Sequence, residues 1–358
     1  MRFVYFTHSL ASCWNHGNAH FLRGVLRELV ARGHEVVAYE PRDNWSRQNL
    51  IADAGEDAAD AWAEVYPELR TAEYGPDTDL QDLTESADVV IVHEWTDPEV
   101  VAALGRQEGP LKLFHDTHHR AVSDPEAMRR YDLTGFDGVL AFGETLAAIY
   151  RGWGWDGRVF VWHEAADTRR FRPPEVENGR EGVVWIGNWG DGERAAELES
   201  FLLQPTAELG LKLRIHGVRY PAEAVDMLGR CGAEYRGWLP NHLAPDVFAQ
   251  HAMTVHVPRR FYATQLPGIP TIRVFEALAC GIPLVSAPWE DREGLFTPGK
   301  DYLVARDGAA MRAHLAALRD DPGLRAELAA HGLATIRARH TCAHRVDELL
   351  GIIEGLGA

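Results

Sequence analysis

Short apolar, β-branched runs alternate with longer stretches of helical period along the whole sequence, and that alternation limits the fold more than any other feature. Repeated strand–helix–strand units point to a mainly parallel sheet with helices on both faces. Phe3 to Phe6 reads as the first strand. After a polar loop, Ala19 to Arg32 repeats apolar residues at Phe21, Leu22, Val25, Leu26, Leu29 and Val30, one face of a helix that Gly33 closes. Glu35 to Glu40, Asp88 to Trp95 (DVVIVHEW), Leu111 to Asp116, Gly138 to Gly143 and Arg158 to Glu164 read as further strands, with an acidic, helical insert before DVVIVHEW.

The period lapses from Asp167 to Gly179, where Arg169, Arg170, Arg172, Pro173, Pro174 and Asn178 fall, so this segment is expected to link two domains. The alternation then restarts. Strands are expected at Gly182 to Gly187, Lys212 to Val218, Thr254 to Val257, Pro283 to Ala287 and Asp301 to Val304. Helices are expected from Glu193, near Ala222, near Ala244, over Thr271 to Cys280 and from Ala309 onward, broken at Pro322 and near Thr341. The 358 residues accommodate two such Rossmann-like halves at ~150 residues each.

Charge narrows the partners. With 53 Asp+Glu against 36 Lys+Arg the net charge is −17, which repels nucleic-acid backbones and anionic lipid surfaces, so neither is an expected partner. Cys13, Cys231, Cys280 and Cys342 are scattered and form no CxxC pair, the pattern of reduced thiols in a cytoplasmic protein. The N-terminal apolar run is too short for a signal-peptide core, and no segment approaches ~20 uninterrupted apolar residues, so no transmembrane segment is expected.

Ligands of open parallel sheets bind beyond the carboxyl ends of the strands, and histidines fall there repeatedly. His8 follows the first strand, while His93-Glu94, His115-Asp116 and His163-Glu164 end three others. One such histidine is more often structural; four on one rim favour a cleft that handles protons or binds hydroxyls. His115-Asp116-Thr117-His118-His119 has residue types that suit a transition metal, but neighbours at a strand end point in different directions, so no metal is expected. Asp77-Thr78-Asp79 lies in a polar loop with no preceding strand and reads as a solvated turn. The loop Ser12 to Asn18 occupies a phosphate-loop position without GxGxxG; Gly17 permits either close approach of an anion or simply a tight turn.

In the second half, Thr271 can cap a helix whose free N–H groups would seat a diphosphate. Glu276, one to two turns later, interrupts the apolar run Val274-Phe275-Glu276-Ala277-Leu278-Ala279, and a charge there needs a partner, such as the two hydroxyls of a ribose.

These residues carry a resemblance. FEALACGIPLVSA resembles the donor-binding segment of nucleotide-sugar glycosyltransferases of the GT-B architecture, those of glycosyltransferase family 4 in particular, and HGNAHFLRGVLRELVARGHEV resembles the same group's N-terminal loop and helix. With FHDTHHRAVSDPE, WIGNWGDGER and GIPTIRVFEALACGIPLVSAPW added, the chain is most similar to the CgeB-like (spore maturation protein) glycosyltransferases, over most of its length outside residues 46–85. The resemblance implies an α/β GT-B fold of two Rossmann-like β/α/β domains facing each other across a cleft. Residues 1–167 would hold the acceptor and 168–340 the nucleotide-sugar donor, and the C-terminal helix within 341–358 would cross back to pack on the first domain.

The resemblance also implies roles. Glu276 matches the second glutamate of the family's E-x7-E motif, which binds the donor ribose, whereas the first falls on Gly268. Thr271 and Ile272, with Arg273 beside them, match the backbone positions at the diphosphate. Gly187 and Asn188 stand where the family shows Gly-Arg, and Arg194 stands where it shows a lysine, with Arg259 and Arg260 as possible substitutes. Tyr235 and Trp238 fall in the region that contacts the base; His16, Gly17 and Asn18 lie near the phosphate and acceptor; His115 matches a histidine near the transferred sugar.

The expected activity is metal-independent, retaining transfer of a sugar from a nucleoside diphosphate, UDP or GDP, to a hydroxyl or similar nucleophile of an unknown acceptor (a glycan, a small metabolite or a protein), with no cofactor. Arg194 and helix-end N–H groups would neutralise the leaving diphosphate, and His115 or Asp116 would act on the acceptor or stabilise the developing positive charge on the sugar. His93, Glu94, His118 and His163 are acceptor-side candidates, and Glu276→Ala is expected to weaken nucleotide binding without unfolding the protein. The alternatives are a catalytically inactive sugar-nucleotide-binding protein, a same-fold sugar-nucleotide epimerase and, built on His115 to His119, a metal hydrolase.

Overall fold

A computed structural model describes residues 1–8, 10–15, 17–155, 158–175 and 179–357. The chain divides into two compact units, residues 1–164 with 342–358 and residues 165–341.

The first unit is built on a seven-stranded sheet of β1 (Arg2–Phe6), β2 (Glu35–Pro41), β3 (Thr71–Tyr74), β4 (Val89–His93), β5 (Leu111–Asp116), β6 (Gly138–Ala141) and β7 (Val159–Val161). The order is β3-β2-β1-β4-β5-β6-β7 and every pairing is parallel. All residues of β4 and β5 are buried, as a strand covered by helices on both faces requires. The helix Ala19–Ala31 buries Phe21, Leu22, Val25, Leu26 and Leu29, and Gly33 follows it at φ +84°, a conformation that other residues adopt only with strain. Its outer side is covered by the C-terminal helix Cys342–Leu356, which the Arg32–Asp347 ion pair (2.6 Å) and the bond from Trp162 Nε1 to the Arg345 carbonyl (2.8 Å) tie to this unit. The acidic insert is helical at Trp45–Ala54, Glu56–Val65 and Leu80–Thr84 but also supplies β3, an edge strand whose sequence TAEY is too short and polar to show an apolar period.

The second unit holds β8 (Val183–Ile186), β9 (Leu213–His216), β10 (Ala233–Tyr235), β11 (Met253–His256), β12 (Leu284–Ser286) and β13 (Leu303–Val304) in the order β10-β9-β8-β11-β12-β13, again all parallel. The core centres on Val183, Trp185, Ile215, Val255, Val285 and Leu315. Phe171, in the stretch expected to be a linker, is fully buried in this unit, and Arg170 Nε donates to the His242 carbonyl at 2.7 Å. The helix expected from Glu193 is an α-turn, Ala195–Leu198, running through a π-turn, Glu199–Leu203, into Gln204–Glu208. The terminal helices are Gly308–Asp320, Pro322–Arg339 and Cys342–Leu356.

Candidate functional site

Each sheet has a point where the strand order reverses, and the crevice beyond the carboxyl ends of the strands there is where open α/β sheets take ligands. In the second unit it lies between β8 and β11. Gly187 and Asn188 leave β8, and Val257 to Arg259 leave β11. Arg194 joins the two ends: Nη1 donates to the Val257 carbonyl (3.0 Å), and Nη2 donates to the Asn188 carbonyl (2.7 Å) and Oδ1 (2.8 Å). Its guanidinium stacks over Trp185 at 5.1 Å. Two glycines admit it, since a Cβ on Gly187 would meet the Trp185 ring at 2.7 Å and one on Gly190, at φ +91°, would meet Arg194 Cγ at 2.9 Å.

The charges around Arg194 do not balance. Arg259 pairs with Glu193 (2.7 Å) and reaches Asn188 Oδ1 (3.2 Å), while Arg273 pairs with Glu276. Arg194 has no carboxylate partner among the described residues, and its buried Nε has no hydrogen-bond partner. Burial, and then the like charge of Arg259, pushes its pKa down to about 9. A buried cation flanked by two further guanidinium groups is costly unless an anion completes it. Arg260, by contrast, points outward to Glu197 at 3.1 Å and takes no part in the cluster.

Thr271 starts the helix Ile272–Ala279, with Ile272 buried behind it, but its side chain does not cap the helix. The hydroxyl instead meets His256 Nε2 at 3.0 Å, and His256 Nδ1 meets Ser286 Oγ at 2.9 Å, so the ends of β11 and β12 are tied to the helix start. Burial pushes the His256 pKa down to about 3, which keeps the ring neutral. Glu276 is 0% exposed. Oε1 accepts from Asn241 Nδ2 (2.7 Å) and the other oxygen binds Arg273, so the partner of this charge is supplied from within the protein; burial raises its pKa. Gly268 adopts φ +93°, where a glutamate would be strained, and a Cβ there would stand 3.2 Å from Glu293 Oε1. The Tyr235 hydroxyl is committed to the Gly217 carbonyl (2.9 Å), whereas the buried Nε1 of Trp238 has no hydrogen-bond partner.

In the first unit the order reverses between β1 and β4. The rings of His8 and His93 lie 5.2 Å apart there, and β4–β5 register sets His93 opposite His115 with ring centroids at 5.5 Å. Asn18 Nδ2 reaches Thr117 Oγ1 (2.9 Å) and His93 Nε2 (3.2 Å). Gly17 precedes Asn18 in the same loop; His16 lies outside the described residues. His163 follows β7, the edge strand, three places beyond β4.

The pair expected to be catalytic lies deeper than the sequence suggests. His115 is packed against Phe21 and Trp162, Nδ1 meets the Tyr5 hydroxyl, and burial pushes its pKa down to about 3. Asp116 is 0% exposed; its oxygens accept from the His118 N–H (3.0 Å) and the Tyr150 hydroxyl (2.8 Å). Burial raises its pKa to about 6, the same cause raises that of buried Glu94 nearby, and Arg120 serves both. Both side chains are thus buried, Asp116 with its oxygens taken up by protein donors and His115 with Nε2 left without a hydrogen-bond partner. The stretch His115 to His119 does not converge: His115 turns to Tyr5, Asp116 to Tyr150, His119 to Ser123 and His118 to Trp95. Among the described residues no group of three or more His, Cys, Asp or Glu is arranged to hold a metal ion.

Solved structures share this architecture. A sucrose-phosphate synthase of Thermosynechococcus elongatus aligns over 99% of both chains with a TM-score of 0.68 at 14% identity. HepE of Anabaena, solved with UDP-glucose, covers 98% of this chain and 99% of its own with a TM-score of 0.69 at 12% identity. The β-glucosyltransferase of phage T4, solved with UDP-glucose, covers 99% and 100% with a TM-score of 0.60 at 13% identity. The chain has the GT-B glycosyltransferase fold. Within it, residues 194–351 match a family described as glycosyl transferase-like. No curated protein matches the chain. The family match begins at Arg194 itself.

His256, Ser286, Asn241, Glu193 and Arg120 escaped the sequence reading. His256 ends an apolar strand as His93 does, so the strand-end rule applied to the first half would have found it; Asn241 lies 35 residues from Glu276 and carries no such signal.

Proposed function

We propose that this GT-B protein takes a nucleoside-diphosphate sugar, UDP- or GDP-linked, at the reversal point of its second sheet and transfers the sugar to a hydroxyl of an acceptor held by the first unit. The observation that carries the reading is Arg194, a buried guanidinium with no carboxylate partner among the described residues, flanked by Arg259 and Arg273 and fixed across the ends of β8 and β11. Breaking the anomeric C–O bond leaves its electron pair on the diphosphate, and fixed cations beside that oxygen lower the barrier because they need not reorganise. The start of the helix at Thr271 and Ile272 adds partial positive charge. These groups would do what a divalent cation does in other transferases, so the transfer is proposed to be metal-independent.

Glu276 serves this site through Arg273 and Asn241, which it holds in place, and a ribose contact would require it to release one of them. Gly268 stands in place of the motif's first glutamate; the proposed transfer retains the anomeric configuration, and the proposed grouping is with the CgeB-like glycosyltransferases. HepE and the phage enzyme were each solved with UDP-glucose, which makes uridine donors the first to try. Incubating the protein with UDP-glucose, UDP-N-acetylglucosamine and GDP-mannose should release a nucleoside diphosphate from one of them, visible by phosphorus NMR. Tight binding with no release, with or without added glycosides and sugar alcohols, would favour the inactive-binder alternative.

A further inference from the structure

The first unit presents a braced aromatic platform beside its own reversal point. Trp95, two residues past the end of β4, is 40% exposed, and the only other tryptophan among the described residues as open is Trp45, 48% exposed, beyond β2. Trp95 is not a loose surface ring. The Arg120 guanidinium lies over it at 4.5 Å, with the His118 ring at 5.4 Å and the His8 ring at 5.8 Å. Arg120 is itself fixed, donating from Nη1 to the Glu94 carbonyl (2.8 Å), Glu94 Oε2 (3.1 Å) and the Tyr131 hydroxyl (3.2 Å). Glu94 and Asp116, both fully buried, thus brace the two rim rings: Glu94 holds Trp95 through Arg120, and Asp116 holds His118 through its N–H. Burying two carboxylates to steady an exposed indole is costly, and a surface ring with no task would not need it.

The groups around the platform indicate what lies on it. His8, His93, Asn18, Thr117 and His118 are imidazoles, an amide and a hydroxyl, each able both to donate and to accept, as a sugar hydroxyl does. Among the described residues of the rim the one guanidinium, Arg120, is paired with Glu94, which favours an uncharged ligand over a phosphate or carboxylate. A pyranose combines an apolar C–H face, suited to an indole, with hydroxyls at its edge. The proposal rests on the transferase reading above: we propose that the rim formed by His8, Trp95 and His118 is the acceptor subsite, and that the acceptor is an uncharged carbohydrate with one pyranose ring lying on Trp95.

Saturation-transfer NMR on the full chain tests this with the methyl glycosides of glucose, galactose, mannose and N-acetylglucosamine, cellobiose and maltose, and 4-nitrophenol as an aromatic comparison. At least one glycoside should bind, weaken at least tenfold in Trp95→Ala, and recover in part in Trp95→Phe, while UDP affinity stays within twofold. Glycoside binding unchanged in both variants, Trp95-dependent binding of 4-nitrophenol alone, or no glycoside bound at all would each overturn the proposal. UDP titration of the unmodified protein separates the two claims, since its failure would strike the donor site whatever the glycosides do.

Discussion

Replacing Arg194 by methionine removes the buried charge and keeps most of the side-chain volume. Two opposed effects act on the free protein. The donated hydrogen bonds to Val257 and Asn188 are lost, at about 1.5–3 kcal/mol for each bond from a charged donor. Against that, a pKa pushed down to about 9 means that the fold disfavours the charged form by about 5 kcal/mol. The three bonds together are worth about 4.5–9 kcal/mol, so the terms largely offset and Arg194→Met should cost the free protein at most about 4 kcal/mol of unfolding stability. Donor binding has no such compensation. A diphosphate charge roughly 5 Å from the guanidinium, at an effective dielectric constant of about 20, gains about 3 kcal/mol, equivalent to roughly a hundredfold in affinity. Calorimetric titration with UDP, alongside urea unfolding of the free protein, reads both quantities. A variant that folds normally and binds UDP within threefold of the parent would refute the assignment of Arg194 as the anion's partner.

Four other outcomes follow from the same geometry. Gly190→Ala should lose about 1–2 kcal/mol of stability from its φ of +91° and weaken UDP binding by displacing Arg194, both read in the titrations above. Glu276→Ala, rather than leaving the fold intact, should destabilise it by about 3–5 kcal/mol, because it strands Arg273 and Asn241 in the interior, with Glu276→Gln milder in urea unfolding. The Asp116 carboxyl is raised to about 6 in the fold, so its contribution to stability is fully present below about pH 4 and is lost as pH rises through 6; Asp116→Asn should reduce that fall in stability–pH curves, with the raised Glu94 still contributing. The buried His256 works in the opposite sense: lowered to about 3, it contributes stability above about pH 6.5 that is lost on acidification, about 2 kcal/mol by pH 5, and His256→Asn should shrink the acid limb by that amount, with the lowered His115 and His216 still contributing.

The strands that carry the fold were legible because they are buried on both faces and read as unbroken apolar runs, as in DVVIVHEW and LKLFHD. The edge strands TAEY and AEY were not, since an edge strand needs no apolar run. Strand ends located the reversal points of the two sheets: Gly187 and Asn188 follow β8, and His93 ends β4. Depth was illegible, because whether His115 or Asp116 faces a ligand or the core depends on Tyr5, Trp162 and Tyr150, which sequence spacing does not bring near them. The partners of Glu276 were hidden for the same reason, Arg273 excepted, which lies three residues away on the same helix.

The proposed nucleotide-sugar site works without a metal. It is tested most directly by thermal unfolding of the protein with UDP, GDP, ADP, TDP and their sugar conjugates, each with and without EDTA. A nucleotide at ~100 times its dissociation constant stabilises the fold by about 2.7 kcal/mol, a shift of several degrees. One base and its sugar conjugates should give a selective, EDTA-insensitive shift. No shift with any of them, or a shift abolished by EDTA, would contradict it.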